Sequence, residues 1–167
     1  QGGVPVGSFL RKLLLAARFA DVKMILSDDI TPESRIMYHR QVEERVRKAA
    51  PFIQFERDPY LVISQDGRLF WMVDGYTTSN RFPYSEPVRG LGNYIRNSVK
   101  AVLDAYHGTL AYYISEPDDP VIKAYAQAFP GLFQPLSAMP ADLRAHIRYP
   151  QALLAIQGRM FATFHMR

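Results

Sequence analysis

Asp66 and Gly67 stand between two short runs of β-branched, aromatic and aliphatic residues, 60–64 and 69–74, and no other feature constrains the chain as tightly. An Asp-Gly pair tolerates the positive φ that a tight reversal needs, so the two runs are predicted to be strands of a β-hairpin. A third strand is predicted over 109–115, entered through Gly108, which suits the left-handed end of a helix. With helices around them, these segments define an α+β fold: a small antiparallel sheet (hairpin 60–74 plus strand 109–115) covered on one face and packed with about five or six helices.

The helices announce themselves by caps and spacing. Ser8 suits an N-cap, and Leu10, Leu13, Leu14 and Ala17 recur on one face beyond it, with Arg11 and Arg18 opposite. Two readings stay open for this segment: a core helix with a thin solvated edge, or an amphipathic helix lying on a membrane or a neighbouring section. Thr31, Pro32 and Glu33 read as the start of a second helix running to about Ala49, with Tyr38, Val42, Val46 and Ala49 on its apolar face. Arg40 with Glu44, Glu43 with Arg47 and Glu44 with Lys48 then form i, i+4 pairs on its solvated side, and Pro51 ends it. Over 93–106, Ile95, Val99, Val102, Leu103 and Tyr106 fall on one helical face, opposite Arg96, Asn97, Lys100 and Asp104, which predicts an amphipathic helix. Asp118 and Asp119 precede Pro120 as caps of a short helix to about Phe129, and two further helices are predicted over 140–147 and 150–164.

Charge and composition narrow the function classes. The net charge of +4 comes from 20 Lys and Arg against 16 Asp and Glu, interspersed without a run of five like charges. A nucleic-acid footprint needs clustering, so no nucleic-acid partner is expected. The absence of cysteine removes disulfides, thiolate metal sites and thiol nucleophiles together. The most apolar stretch, 9–26, is interrupted by Arg11, Lys12, Arg18, Asp21 and Lys23, too costly for a bilayer centre. Residues 1–7 lack a signal-peptide pattern and the chain opens at Gln1, so it is expected to be an excised piece of something longer.

Catalytic motifs do not stand out. His39, His107, His146 and His165 lie apart, with no second ligand at metal spacing, so neither a metal site nor a cofactor is expected. There is no G-x-S-x-G elbow and no phosphate-binding G-x-x-x-x-G-K, and 90–95 imitates only part of a dinucleotide fingerprint with no strand before it. Asp74, Glu86, Asp104 and Glu116 offer carboxylates without a reason for any two to meet.

The segment 75–92 needs an explanation, because eighteen residues between a predicted strand and a predicted helix greatly exceed an ordinary connection. It holds Tyr76, Thr77, Thr78, Ser79, Arg81, Phe82, Tyr84 and Arg89, a mixture of hydroxyls, rings and guanidinium groups found on recognition surfaces. Either the loop folds its own aromatics back over the sheet edge, stiffened by Pro83 and Pro87, or it binds a partner. On the second reading Tyr76, Thr77, Thr78, Arg81, Tyr84 and Arg89 are the binding residues, with Tyr76, Arg81 and Tyr84 foremost.

The run WMVDGYTTSNRFPYSEP, 71–87, followed by NYIRNSVKAVLDAYHGT, 93–109, resembles uncharacterised protein family 0182, large bacterial multi-pass membrane proteins. RFADVKMILSDDITPESRIMYHR, ERVRKAAPF and AFPGLFQPLSAMPADLRAHIRYP extend the likeness over nearly the whole chain. The family carries no established reaction, ligand or catalytic residue, so the resemblance implies context alone. It implies a bundle of membrane-spanning helices followed by a large extracytoplasmic soluble part, of which residues 1–167 would be a single soluble domain, with 8–26 close to the bilayer or to a neighbouring section. The expected function is that of an interaction or structural module whose partners are other sections of the parent, another protein or an envelope polymer. The alternative is a hydrolase or transferase acting on an envelope substrate through Asp74 and Asp104, with Lys100 or Arg96 as electrostatic support. Two such acids about 5 to 9 Å apart in one cleft would favour it.

Overall fold

The computed structural model describes residues 3–165. In chain order it contains β1 (Val4–Pro5), α1 (Phe9–Phe19), α2 (Lys23–Leu26), β2 (Arg35–Ile36), α3 (Val42–Ala49), β3 (Gln54–Phe55), β4 (Tyr60–Ile63), β5 (Leu69–Ser79), β6 (Tyr94–Asp104) and β7 (Leu110–Ile114). These are followed by α4 (Pro120–Ala128), β8 (Phe133–Pro135), a 3-10 turn (Leu136–Ala138), α5 (Ala141–Arg144) and α6 (Gln151–His165). The fold is α+β, and its sheet is larger than the sequence predicts. Six strands run in the order β3-β5-β6-β7-β8, with β4 also on β5, all antiparallel except the parallel pair of β7 and β8. A separate two-stranded ribbon joins β1 to β2.

The Asp-Gly hairpin forms as expected. Gly67 sits at φ 78°, its N–H donates to the Ser64 carbonyl at 2.9 Å, and β4 pairs with β5 from Tyr60 opposite Met72 to Ile63 opposite Leu69. β5 then runs past the predicted end at Asp74 to Ser79, and the predicted helix over 93–106 is strand β6. Residues 97–104 are buried without alternation, because the sheet is covered on both faces, not one. On one face Val73, Val99, Ala101 and Tyr112 pack with Val46 and Ala50 at α3 and Ile122 of α4. On the other, Met72, Val102, Tyr60 and Tyr113 pack with Met139 and with Leu143 of α5. A strand between two apolar layers shows no period of two, and its apolar positions fell at helical spacing by coincidence.

The amino-terminal helices also differ. Thr31 starts a turn, accepting from Ser34 N–H at 3.0 Å, and 35–36 pair with β1, so only 42–49 of the predicted 31–49 helix is helical. The Glu43–Arg47 and Glu44–Lys48 pairs form at 3.3 and 3.6 Å, but Arg40 lies outside the helix and His39, at φ 51°, bonds Glu44 instead at 2.6 Å. Ser8 caps α1 through Arg11 N–H, and Ala20 ends it at φ 53°. The reading of α1 as a core helix with a thin solvated edge is not met: Ala16 is buried, while Leu10, Leu13, Leu14 and Ala17 are exposed. Asp119 caps α4 with Pro120 in its first turn, as predicted; the 140–147 segment is the single turn α5, and α6 covers 151–165.

Candidate functional site

The β5–β6 pair carries most of the buried polar groups and the loop that joins the two strands. Asp74 lies directly opposite Lys100, and their side chains form a buried ion pair. Further along, β6 contributes one residue more than β5 between the Gly75–Val99 and Thr77–Arg96 pairs. Such a bulge re-aims side chains. It places Ser98 Oγ 3.0 Å from Thr77 Oγ1, and both hydroxyls donate to Asp119 Oδ2, at 2.6 and 2.5 Å. Asp119 also accepts from Tyr94 Oη at 2.6 Å and from the N–H groups of Val121 and Ile122. Burial pushes its pKa up, but these donors outweigh burial and hold the carboxyl below its ordinary range. The arrangement bolts α4 to the end of the sheet.

Tyr76 is buried and donates to Glu56, which also accepts from Ala152 N–H at 3.4 Å in the first turn of α6. Burial, and then Glu56, push its phenol well above the ordinary value. Of the predicted binding residues, Tyr76 and Thr77 are therefore interior groups with committed hydroxyls. Thr78 is half-buried, and Arg81, Tyr84 and Arg89 are exposed.

The connection between β5 and β6 spans 80–93, shorter than the predicted 75–92 gap because five of those residues belong to β5, and it links two strands of one hairpin. It is held from inside. Asn93 Oδ1 accepts from Phe82 N–H at 3.1 Å and its amide donates to the Phe82 carbonyl at 2.6 Å, Val88 and Gly92 exchange backbone bonds, and Phe82 stacks on Tyr94 with centroids 5.4 Å apart. Gly92 has no room for a side chain: a Cβ would stand 2.5 Å from the Ser79 carbonyl oxygen. From this frame Tyr84 projects fully into solvent with its backbone at φ 58°. The two ends of the loop line a cleft of about 750 Å³, with Thr78, Ser79, Arg81, Arg89, Gly90 and neighbouring residues around it and no Asp or Glu among them.

The two carboxylates of the enzymatic alternative do not meet. Asp104 faces Phe70 and Asp74 faces Lys100, four residues further along the ladder, a separation of roughly 13 Å along the strands. Asp104 accepts from Tyr106 and His107 N–H groups at 2.8 and 2.7 Å, from the His107 ring and from Arg68. Arg96 is exposed, away from the ion pair that holds Lys100. Among the described residues no group of three or more His, Asp or Glu side chains is placed to hold a metal ion, and no helix is long and apolar enough to cross a membrane.

The loop of this hairpin is clamped from inside, and the buried Asp74, Lys100, Asp104 and Asp119 each have hydrogen-bond partners. The chain belongs to the uncharacterised protein family UPF0182, matched over residues 1–167. It is 63% identical over 166 residues to a UPF0182 protein of Geobacter sulfurreducens, covering 99% of this chain and 19% of that protein. It is 57% identical to one from Geobacter sp. strain M21, covering 99% of this chain and 18% of that one, and 55% identical to one from Synechococcus sp. strain JA-3-3Ab, covering 99% and 19%. It thus spans about a fifth of the length of the relatives it matches. No solved structure matches it.

Proposed function

We propose that this chain is an interaction module in the extracytoplasmic part of a membrane-embedded parent, and that residues 80–92 form its contact surface. The observation that carries the reading is Tyr84: a tyrosine held fully exposed on a left-handed backbone, between Arg81 and Arg89, in a loop that is otherwise tied down. Tyr and Arg are the side chains that dominate binding energy at interfaces, and a pre-ordered loop loses little entropy when it docks. The exposed apolar side of α1, Phe9, Leu10, Leu13 and Leu14, supports the same reading from another surface. Its occupant in this proposal is another section of the parent, since the relatives are about five times longer than this chain. An envelope polymer or a second protein remains a partner for the loop.

A photo-cross-linking residue at position 84 in the intact parent tests the proposal. Cross-links to discrete positions outside these 167 residues are expected. Cross-links confined to the section itself, or none, would return the loop to a purely structural role.

A further inference from the structure

The cleft at the ends of the loop has a chemistry of its own. Arg81 and Arg89 both line it, and among the described residues neither guanidinium pairs with a carboxylate, although Arg47 and Arg68 pair with Glu43 and Asp104. No acidic side chain lines the cleft to offset the two positive charges. Turn backbone lines it as well: among the described residues the N–H groups of Arg89 and Gly90 donate to no acceptor, and Gly90, at φ 80°, has open space where a Cβ would stand. Successive free N–H groups in a turn form a concavity that accepts anions.

We infer that this cleft is a phosphate-binding site, with Arg81 and Arg89 clamping the group and the 89–90 turn donating to it. Two guanidinium forks match an anion of charge near two with several acceptor oxygens. A single carboxylate would neutralise only one of them. The inference goes beyond the contact proposed for Tyr84: the cleft beside it takes a phosphate group, whether on a soluble ester or on a lipid headgroup.

Arginine modification by phenylglyoxal in the intact, detergent-solubilised parent, followed residue by residue by mass spectrometry, is the test. Inorganic phosphate in excess of its dissociation constant should slow modification of both Arg81 and Arg89 by about threefold or more relative to chloride at equal ionic strength. Arg57 and Arg144, which are exposed outside the cleft, should not change. Arg89→Gln should abolish the protection of Arg81 while leaving its unprotected rate intact, which separates a shared site from two independent surface groups. Repeating the measurement in bilayer discs assigns the source: protection by phosphatidylglycerol without added phosphate identifies a headgroup, and protection only by added phosphate identifies a soluble ester. Equal rates with phosphate and chloride, protection of one arginine alone, or uniform slowing of every arginine would overturn the site. If both arginines are unreactive before phosphate is added, the cleft is filled by protein: the phosphate site falls while the contact surface stands. A failed cross-link at position 84 with phosphate protection intact would do the reverse.

Discussion

At the centre of the β5–β6 pair every charge has a partner, whereas in the loop joining the same two strands the guanidinium groups of Arg81 and Arg89 pair with no carboxylate among the described residues. Asp74 and Lys100 are paired and Asp119 accepts five hydrogen bonds. No buried side-chain nitrogen or oxygen among the described residues lacks a partner. An unpaired charge is expensive inside a protein and cheap in water, so the interior had to saturate its polar groups and the loop did not. The comparison teaches where to look for activity towards other molecules: the polar residues that stand out at the centre are used up by the fold, and those free to act lie at its rim.

The sharpest way to break this contrast is at the ion pair. Asp74→Ala leaves Lys100 charged and buried without a partner, and should cost about 3 to 5 kcal/mol of stability. The double variant Asp74→Leu with Lys100→Met should recover most of that loss. Resistance of the intact protein to pulse proteolysis measures both. If Asp74→Ala costs no more than a surface change, the pair is not load-sharing and the centre is as permissive as the rim.

Next in size is Asp119→Ala, which removes the α4 cap and strands the hydroxyls of Thr77, Ser98 and Tyr94. A lost cap contributes about 1 kcal/mol and unsatisfied buried hydroxyls add to it, so a loss of about 2 to 3 kcal/mol is expected, with Asp119→Asn intermediate. The same proteolysis measurement checks it, and cleavage should begin near α4.

The hairpin, the Asp119 cap and α6 were legible because each is fixed by neighbours in sequence: Asp66 and Gly67 set a turn, Asp119 with Pro120 sets a helix start, and Pro150 opens α6. β6 was not. Ile95, Val99, Val102 and Leu103 match a helical face as well as they match a strand buried on both sides, and only long-range pairing with β5 decides between them. The opposed charges of Asp74 and Lys100 held that information, since a buried acid and base fit directly across an antiparallel ladder. The loop is legible as an anomaly of length and composition, but not as a hairpin loop, because the spacing over 93–106 predicts a helix where β6 forms. Burial of Tyr76 and Thr77 follows from the same error: once β5 extends to Ser79, both fall inside the sheet. The exposed side of α1 matches one of the two readings the sequence leaves open, but apolar spacing alone does not choose between them, since it shows that a face wants cover and not what covers it.

On the rim the prediction inverts. Tyr84→Ala should leave the stability of the fold within about 0.5 kcal/mol, because the ring touches solvent alone, yet weaken the proposed contact by about 1 to 4 kcal/mol. Leu14→Glu on α1 should behave the same way, unfolding nothing and loosening the section from the rest of the parent. Proteolysis for stability, and cross-linking yield for contact, separate the two effects. A variant that fails in both would place that residue with the interior.

Asp104 tests the boundary between the two regions, because it is buried while its partner Arg68 is half-exposed. Burial pushes this carboxyl up, but the backbone donors of His107 and Tyr106, the His107 ring and Arg68 together hold it down to about 2. A carboxyl with a folded pKa below its unfolded one stabilises the fold fully above the unfolded value, near 4. The contribution is lost as pH falls from there through the folded value. Asp104→Asn should therefore be less stable than the parent sequence at pH 5, by on the order of 1 kcal/mol after allowance for solvent around Arg68. The gap should close as the pH approaches about 2. Arg68→Ala should narrow the gap only slightly, since the two backbone donors remain. A gap that stays constant over this range would mean that Asp104 acts through shape and not through charge, and would move it from the saturated centre to the permissive edge.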